Sequence, residues 1–140
     1  KVHLIGHSLG GVLSRGAAAQ RLDSVASVIT MGSPFRGVKS HPFLLEMAEK
    51  VRRRIFTHND ESHPPYCYTG YCDCVAVADM QKVLPDTIKK TAIYSKTDGV
   101  VHWENCIYRD DKKNFEVAST HIGMAFNYQV YKLISERLKG

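Results

Sequence analysis

Residues 2–5 form a short apolar run that stops at Gly6, and beyond His7, Ser8, Leu9 and the pair Gly10-Gly11 the stretch 12–22 is rich in Ala and long side chains. This succession predicts a strand, a sharp turn and a helix. Asp23-Ser24 breaks the helical pattern, and residues 25–31 are β-branched, apolar and bounded by Gly32-Ser33-Pro34. Such a run predicts a strand buried on both faces, and strand, helix and strand together predict a crossover into a parallel sheet. From Gly37 to about Lys90 the pattern changes. A helix is expected over 43–56, then a polar stretch containing Pro and Cys, then a weaker helical segment over 75–83. A segment of this length between strands reads as an inserted cap. Residues 91–95 predict another strand, followed by a turn at 96–99, and residues 114–118 predict the last. The chain closes with an amphipathic helix expected over 123–138, with Met124, Tyr128, Tyr131, Ile134 and Leu138 near one face. The expected fold class is α/β: one domain over 1–140, a parallel sheet with flanking helices, and a cap insertion at approximately 37–90.

Composition narrows the function classes. The 140 residues are 44% hydrophobic and 24% charged, enough for a real core and far from a disordered chain. No apolar run reaches the roughly 18 residues that a membrane-spanning helix requires, and the first residues have the wrong flanks for a signal peptide. The formal charge of +5 is modest for this length. With no nucleic-acid motif, it points to solubility or anionic surfaces, so nucleic acid is not an expected partner.

Gly6-His7-Ser8-Leu9-Gly10 fits G-x-S-x-G between a predicted strand and a predicted helix. A nucleophilic Ser on so tight a turn needs small residues two before and two after it, and Gly6 and Gly10 meet that need. The helix that follows directs free N–H groups at the site, so the Leu9 amide can stabilise an oxyanion. The alternative is a Gly-rich helix start with Ser8 as N-cap, or a phosphate-binding turn. A Ser hydroxyl also needs a base, and the base needs an orienting carboxylate. Asp98 follows one predicted strand and His121 follows the next, both at the carboxyl ends where a parallel sheet gathers its active-site loops. Among rivals, Asp79 lies in the insertion, and Asp110 and Asp111 lie in a charged turn. His7 adjoins Ser8 and reads as a packing or acyl-pocket residue. His102 is equally readable as pocket or surface, and His3, His41, His58 and His63 have no motif around them.

At these residues the chain resembles the α/β-hydrolase family, in particular its lipase and esterase branch. Gly6-His7-Ser8-Leu9-Gly10-Gly11, Gly32-Ser33-Pro34, Asp98-Gly99-Val100-Val101 and Ser119-Thr120-His121 carry the resemblance, in that order along the chain. It implies Ser8 as nucleophile, His121 as general base and then acid, Asp98 as orienter, and hydrolysis of an ester or lipid through an acyl-enzyme. No cofactor or metal is called for. The pattern departs from the family at the start, because the chain lacks an initiating Met and opens at the elbow strand, as though an upstream part had been removed. A complete member has strands before the elbow, and a loop among them gives the second oxyanion N–H. Losing one such donor costs on the order of a hundredfold to a thousandfold in rate. Two expectations follow: a C-terminal portion of a larger hydrolase, or a minimal form that dimerises across an exposed edge strand. The competing function is an inactive truncated hydrolase that serves as a binding or assembly module.

Two features of the insertion remain. In the predicted helix 43–56, Leu44, Met47, Ala48, Val51 and Ile55 follow helical spacing and Arg52, Arg53 and Arg54 crowd its end. It is readable as a cap helix with transient contact to a lipid surface, or as a core-facing helix whose arginines complement the helix dipole. Cys67, Cys72 and Cys74 cluster while Cys106 stands apart. A disulfide from Cys72 or Cys74 to Cys106 would staple the cap to the Asp98 loop, with Cys67 pairing the remaining one. Free thiols, or zinc held by the cluster with His63, are the other readings. Disulfides would favour a secreted or extracytoplasmic location.

Overall fold

The computed structural model describes residues 1–36, 46, 50, 53–54 and 75–139. Strand β1 spans Val2–His7, helix α1 Leu9–Gln20, strand β2 Val25–Met31, helix α2 Val75–Gln81, strand β3 Lys89–Tyr94, strand β4 Asn114–Glu116 and helix α3 Tyr128–Leu138. The four strands form one sheet in the order β1-β2-β3-β4, every neighbouring pair parallel. All four therefore end at the same edge, and each catalytic candidate lies in a loop or turn that follows one of those ends.

Alternation along β2 builds the core in two halves. Val28 packs with Ala18 of α1, Val25, Leu84 and Ile88, while the next residue, Ile29, packs with Ile93, Val117, Met124 and Val130. Successive side chains of a strand point to opposite faces, so helix α1, with α2 packed on it, lies on one side of the sheet and α3 on the other. Fully burying each Val, Leu or Ile contributes roughly 1.5–3 kcal/mol, which makes β2 the axis of the molecule. The parallel sheet with flanking helices agrees with the fold class expected from the sequence. Leu84 and Ile88, within the span read as an insertion, belong to the core. Of the predicted 43–56 helix, only Glu46, Lys50, Arg53 and Arg54 are described, all helical and exposed. The rest of that helix lies outside the described residues, as do Cys67, Cys72, Cys74, His41, His58 and His63.

The C-terminal segment corrects its sequence reading. The expected continuous helix over 123–138 is divided: a 3₁₀ turn, Ile122–Phe126, ends at Asn127, and α3 starts beyond it. Asn127 is extended, and its side chain accepts a hydrogen bond from the Gln129 amide at 2.8 Å, the geometry of an N-cap. The break shifts the phase of the helix. Val130 is buried, with Leu133 and Ile134 packed beside it, whereas Tyr128 and Tyr131 are exposed. Of the predicted face, Met124 and Ile134 lie in the core, whereas Tyr128, Tyr131 and Leu138 are exposed.

One buried cation went unread in the sequence. Arg15 of α1 is only 5% exposed, donates to the Tyr108 hydroxyl at 2.9 Å and the Lys82 carbonyl at 3.0 Å, and lies over the Phe35 ring. Among the described residues its partners are neutral, and its Nε has no acceptor. The side chain ties the elbow helix to the end of α2 and to the loop beyond β3. Among the described residues, no helix is long and apolar enough to cross a membrane.

Candidate active site

Ser8 follows β1 directly and adopts φ 55° and ψ −125°, the single positive φ of a non-glycine among the described residues. A conformation this sparsely populated costs about 1–3 kcal/mol and persists only where surrounding structure imposes it. Here the Ser8 amide donates to the Met31 carbonyl at the end of β2, at 2.8 Å, and α1 begins at the next residue. A Cβ on Gly6 would collide with the backbone of Gly10 and Gly11, and one on Gly11 would collide with Ser33 and the Gly6 carbonyl. Gly10, which the sequence reading paired with Gly6, would meet nothing within 4 Å. The tight pair is therefore Gly6 and Gly11, because helix α1 leaves the turn with Gly11, not Gly10, facing the end of β2. The amide of Leu9 is the first of α1, and the first amides of a helix have no intrahelical acceptor. Its side chain is exposed.

Asp98 and His121 meet. Asp98 Oδ2 lies 2.7 Å from His121 Nδ1, with both residues buried. The other carboxylate oxygen, Oδ1, accepts from the amides of Val100 and Val101, each at 2.9 Å. Burial pushes the Asp98 carboxyl up, but the His121 hydrogen bond and the two amides outweigh it and hold the group below the usual carboxylate value. The two loops are locked together: the His121 amide donates to the Asp98 carbonyl at 2.9 Å, and Ser95 Oγ donates to the Ser119 carbonyl at 2.6 Å. Beneath the pair is Gly32, at φ +52°, where a Cβ would come within 3.1 Å of Asp98 Oδ2 and 3.2 Å of His121 Nδ1. The sequence reading quoted Gly32 but did not see this role, because only the tertiary fold brings the two loops over the end of β2. Gly32 directly follows the residue that holds the Ser8 amide, so elbow and His-Asp pair occupy one corner of the sheet edge.

His7 belongs to the same corner. Its Nε2 donates to the His121 carbonyl at 2.9 Å, and the two rings stand 4.8 Å apart between centroids. Two of the rival acids are engaged elsewhere, Asp79 with Lys82 and Gln20, and Asp110 with Lys113. His3 pairs with Ser27 Oγ at 2.7 Å. His102 is exposed.

The expected disulfide to Cys106 is not seen among the described residues, and Cys67, Cys72 and Cys74 lie outside them. Cys106 carries a free, buried thiol turned toward the His102 carbonyl at 3.6 Å, inside its own 3₁₀ turn. Burial, with the charges of Asp98 and Glu104, pushes the thiol up to about 12. Among the described residues, no group of His, Cys, Asp and Glu could hold a metal ion.

A parallel sheet with flanking helices, a strained Ser between strand and helix, and a His-Asp pair at the same edge define the class: an α/β-hydrolase of the lipase and esterase branch. The profile of the palmitoyl protein thioesterase family matches residues 1–97, and the chain belongs to that family. The matched span contains Ser8 and Gly32 and stops just before Asp98. A triacylglycerol lipase of Pseudarthrobacter phenanthrenivorans is 49% identical over 47 residues, 34% of this chain and 15% of that protein. A triacylglycerol lipase of Burkholderia plantarii is 49% identical over 47 residues, 34% of this chain and 13% of that protein. The matches thus span only a small part of the length of these relatives. No solved structure matches the chain significantly.

Proposed function

We propose that this chain carries the reacting centre of a serine hydrolase acting on lipid-derived carboxylic esters or thioesters. The observation that carries the reading is the buried His121–Asp98 pair, at 2.7 Å, beside the Ser8 turn. With Nδ1–H held by Asp98, the His121 tautomer leaves Nε2 as the base. Ser8 Oγ attacks the acyl carbon while its proton passes to Nε2. The negative charge that develops on the acyl oxygen is met by the Leu9 amide. His121 then returns the proton to the leaving alcohol or thiol, and water releases the acyl group from Ser8 by the same steps. The family match supports a thioester and the lipase relatives support an oxygen ester, and the same acyl-enzyme serves both.

An activated Ser reacts with a fluorophosphonate and an N-cap Ser does not. Incubation with such a probe should add one label, located on the Ser8 peptide by mass spectrometry and absent from His121→Ala. Labelling unaffected by loss of His121, or no labelling of folded protein, would remove the assignment. A second reading, a hydrolase-derived binding or assembly module, is favoured by β1. That strand lies at the edge of the described sheet with Val2 and Ile5 exposed. It would bind an acyl ligand without turning it over.

A further inference from the structure

We propose that His7 is a positioning residue that holds His121 in register with the Ser8 hydroxyl. This rests on the triad reading above and adds to it a residue that the reading does not use. His121 is gripped from one side by Asp98, which accepts from Nδ1 at 2.7 Å and, through its backbone carbonyl, from the His121 amide at 2.9 Å. Those contacts fix the ring to the Asp98 loop. They do not tie it to the elbow, which belongs to a different strand at the far side of β2. The link across that gap is His7, adjacent to Ser8 in the chain. Its Nε2–H donates to the His121 carbonyl at 2.9 Å, and its ring packs on the His121 ring at 4.8 Å. Because a carbonyl only accepts, the proton of this bond belongs to His7. Ser8 and His7 are consecutive on one strained turn, so a displacement of the elbow carries the His121 backbone with it, and the distance between nucleophile and base is kept. An unmet His121 carbonyl would free the 3₁₀ turn Ile122–Phe126 to shift, and misplacements of about 1 Å between reacting groups can cost up to 10²-fold in rate.

The test compares His7→Ala, His7→Phe and His7→Gln, the last of which can reach the same carbonyl with an amide N–H. Two readouts are followed: kcat and KM for ester hydrolysis, and the low-field Nδ1 proton of His121 by NMR, assigned through its loss in Asp98→Ala. His7→Ala should lose about tenfold in kcat with KM changed less than about twofold, and its Nδ1 proton should exchange faster. His7→Phe, with ring but no donor, should show the same loss, and His7→Gln should recover most of both signals. Unchanged kcat and an unchanged Nδ1 proton in His7→Ala, beside Ser8-dependent wild-type turnover, would overturn the positioning role and leave the triad reading intact. Should His7→Ala fail to fold, the contrast between His7→Phe and His7→Gln decides. Absence of wild-type turnover would count against the triad reading, and the Nδ1 proton would still decide the role of His7.

Discussion

At the residue scale, the site depends on groups whose neighbours leave no room for change. Gly32 is the sharpest case, being both left-handed and in contact with the His-Asp pair. Gly32→Ala should cost about 1–2 kcal/mol in stability from its backbone alone, read as a lower urea midpoint. It should also cut turnover more steeply than stability, because the new methyl presses on Asp98 Oδ2. Asp98 makes a separate prediction with pH. Its folded pKa lies below its ordinary value, so its contribution to stability is full above that ordinary value and is lost as pH falls through the lower folded one. Asp98→Asn should therefore flatten the dependence of stability on pH below about pH 4, measured by urea titration at stepped pH. A slope equal to wild type would contradict the geometry. Ser8, Asp98 and His121 were legible in the sequence because G-x-S-x-G and two strand-end positions are local patterns. Gly11 and Gly32 were quoted as family motifs, but their tight contacts are made with residues of other segments, which no local pattern displays.

At the element scale, hydrophobic periodicity placed all four strands and erred by a residue or more at several boundaries. β2 was read to its end residues because Asp23-Ser24 and Gly32-Ser33-Pro34 punctuate it on both sides. The C-terminal helix was misphased because Asn127 reads as a tolerated polar residue on a helix, whereas in the fold it caps a new one. The correction is testable. Val130→Ala should destabilise the protein by about 2 kcal/mol, and Tyr128→Ala should stay within about 0.5 kcal/mol, both from urea unfolding. The opposite ranking would restore the continuous helix. Arg15 was invisible for a different reason: an Arg in a helix of mixed composition looks solvated until tertiary contacts surround it with Phe35 and Tyr108.

At the scale of the whole molecule, the loops after β2, β3 and β4 bring Gly32, Asp98 and His121 together at one corner of the parallel sheet, beside the turn whose Ser8 amide is held by the end of β2. With its thiol buried and pushed up to about 12, Cys106 should resist iodoacetamide at pH 8 in the folded protein and react fully after denaturation, as followed by peptide mass mapping. Rapid modification of Cys106 in folded protein would contradict its placement. What remained illegible in the sequence at this scale was the distribution of the core. Leu84 and Ile88 sit in a segment that breaks the strand-helix rhythm, yet they pack on α1 and β2.

The most direct test is hydrolysis of a short-chain nitrophenyl ester and of an acyl thioester by the purified 140-residue chain, beside Ser8→Ala. The expected result is saturable turnover by the wild type, reduced at least about 10³-fold in the variant. Equal turnover by the two proteins, or none from a folded wild type, would contradict an acyl-enzyme formed on Ser8.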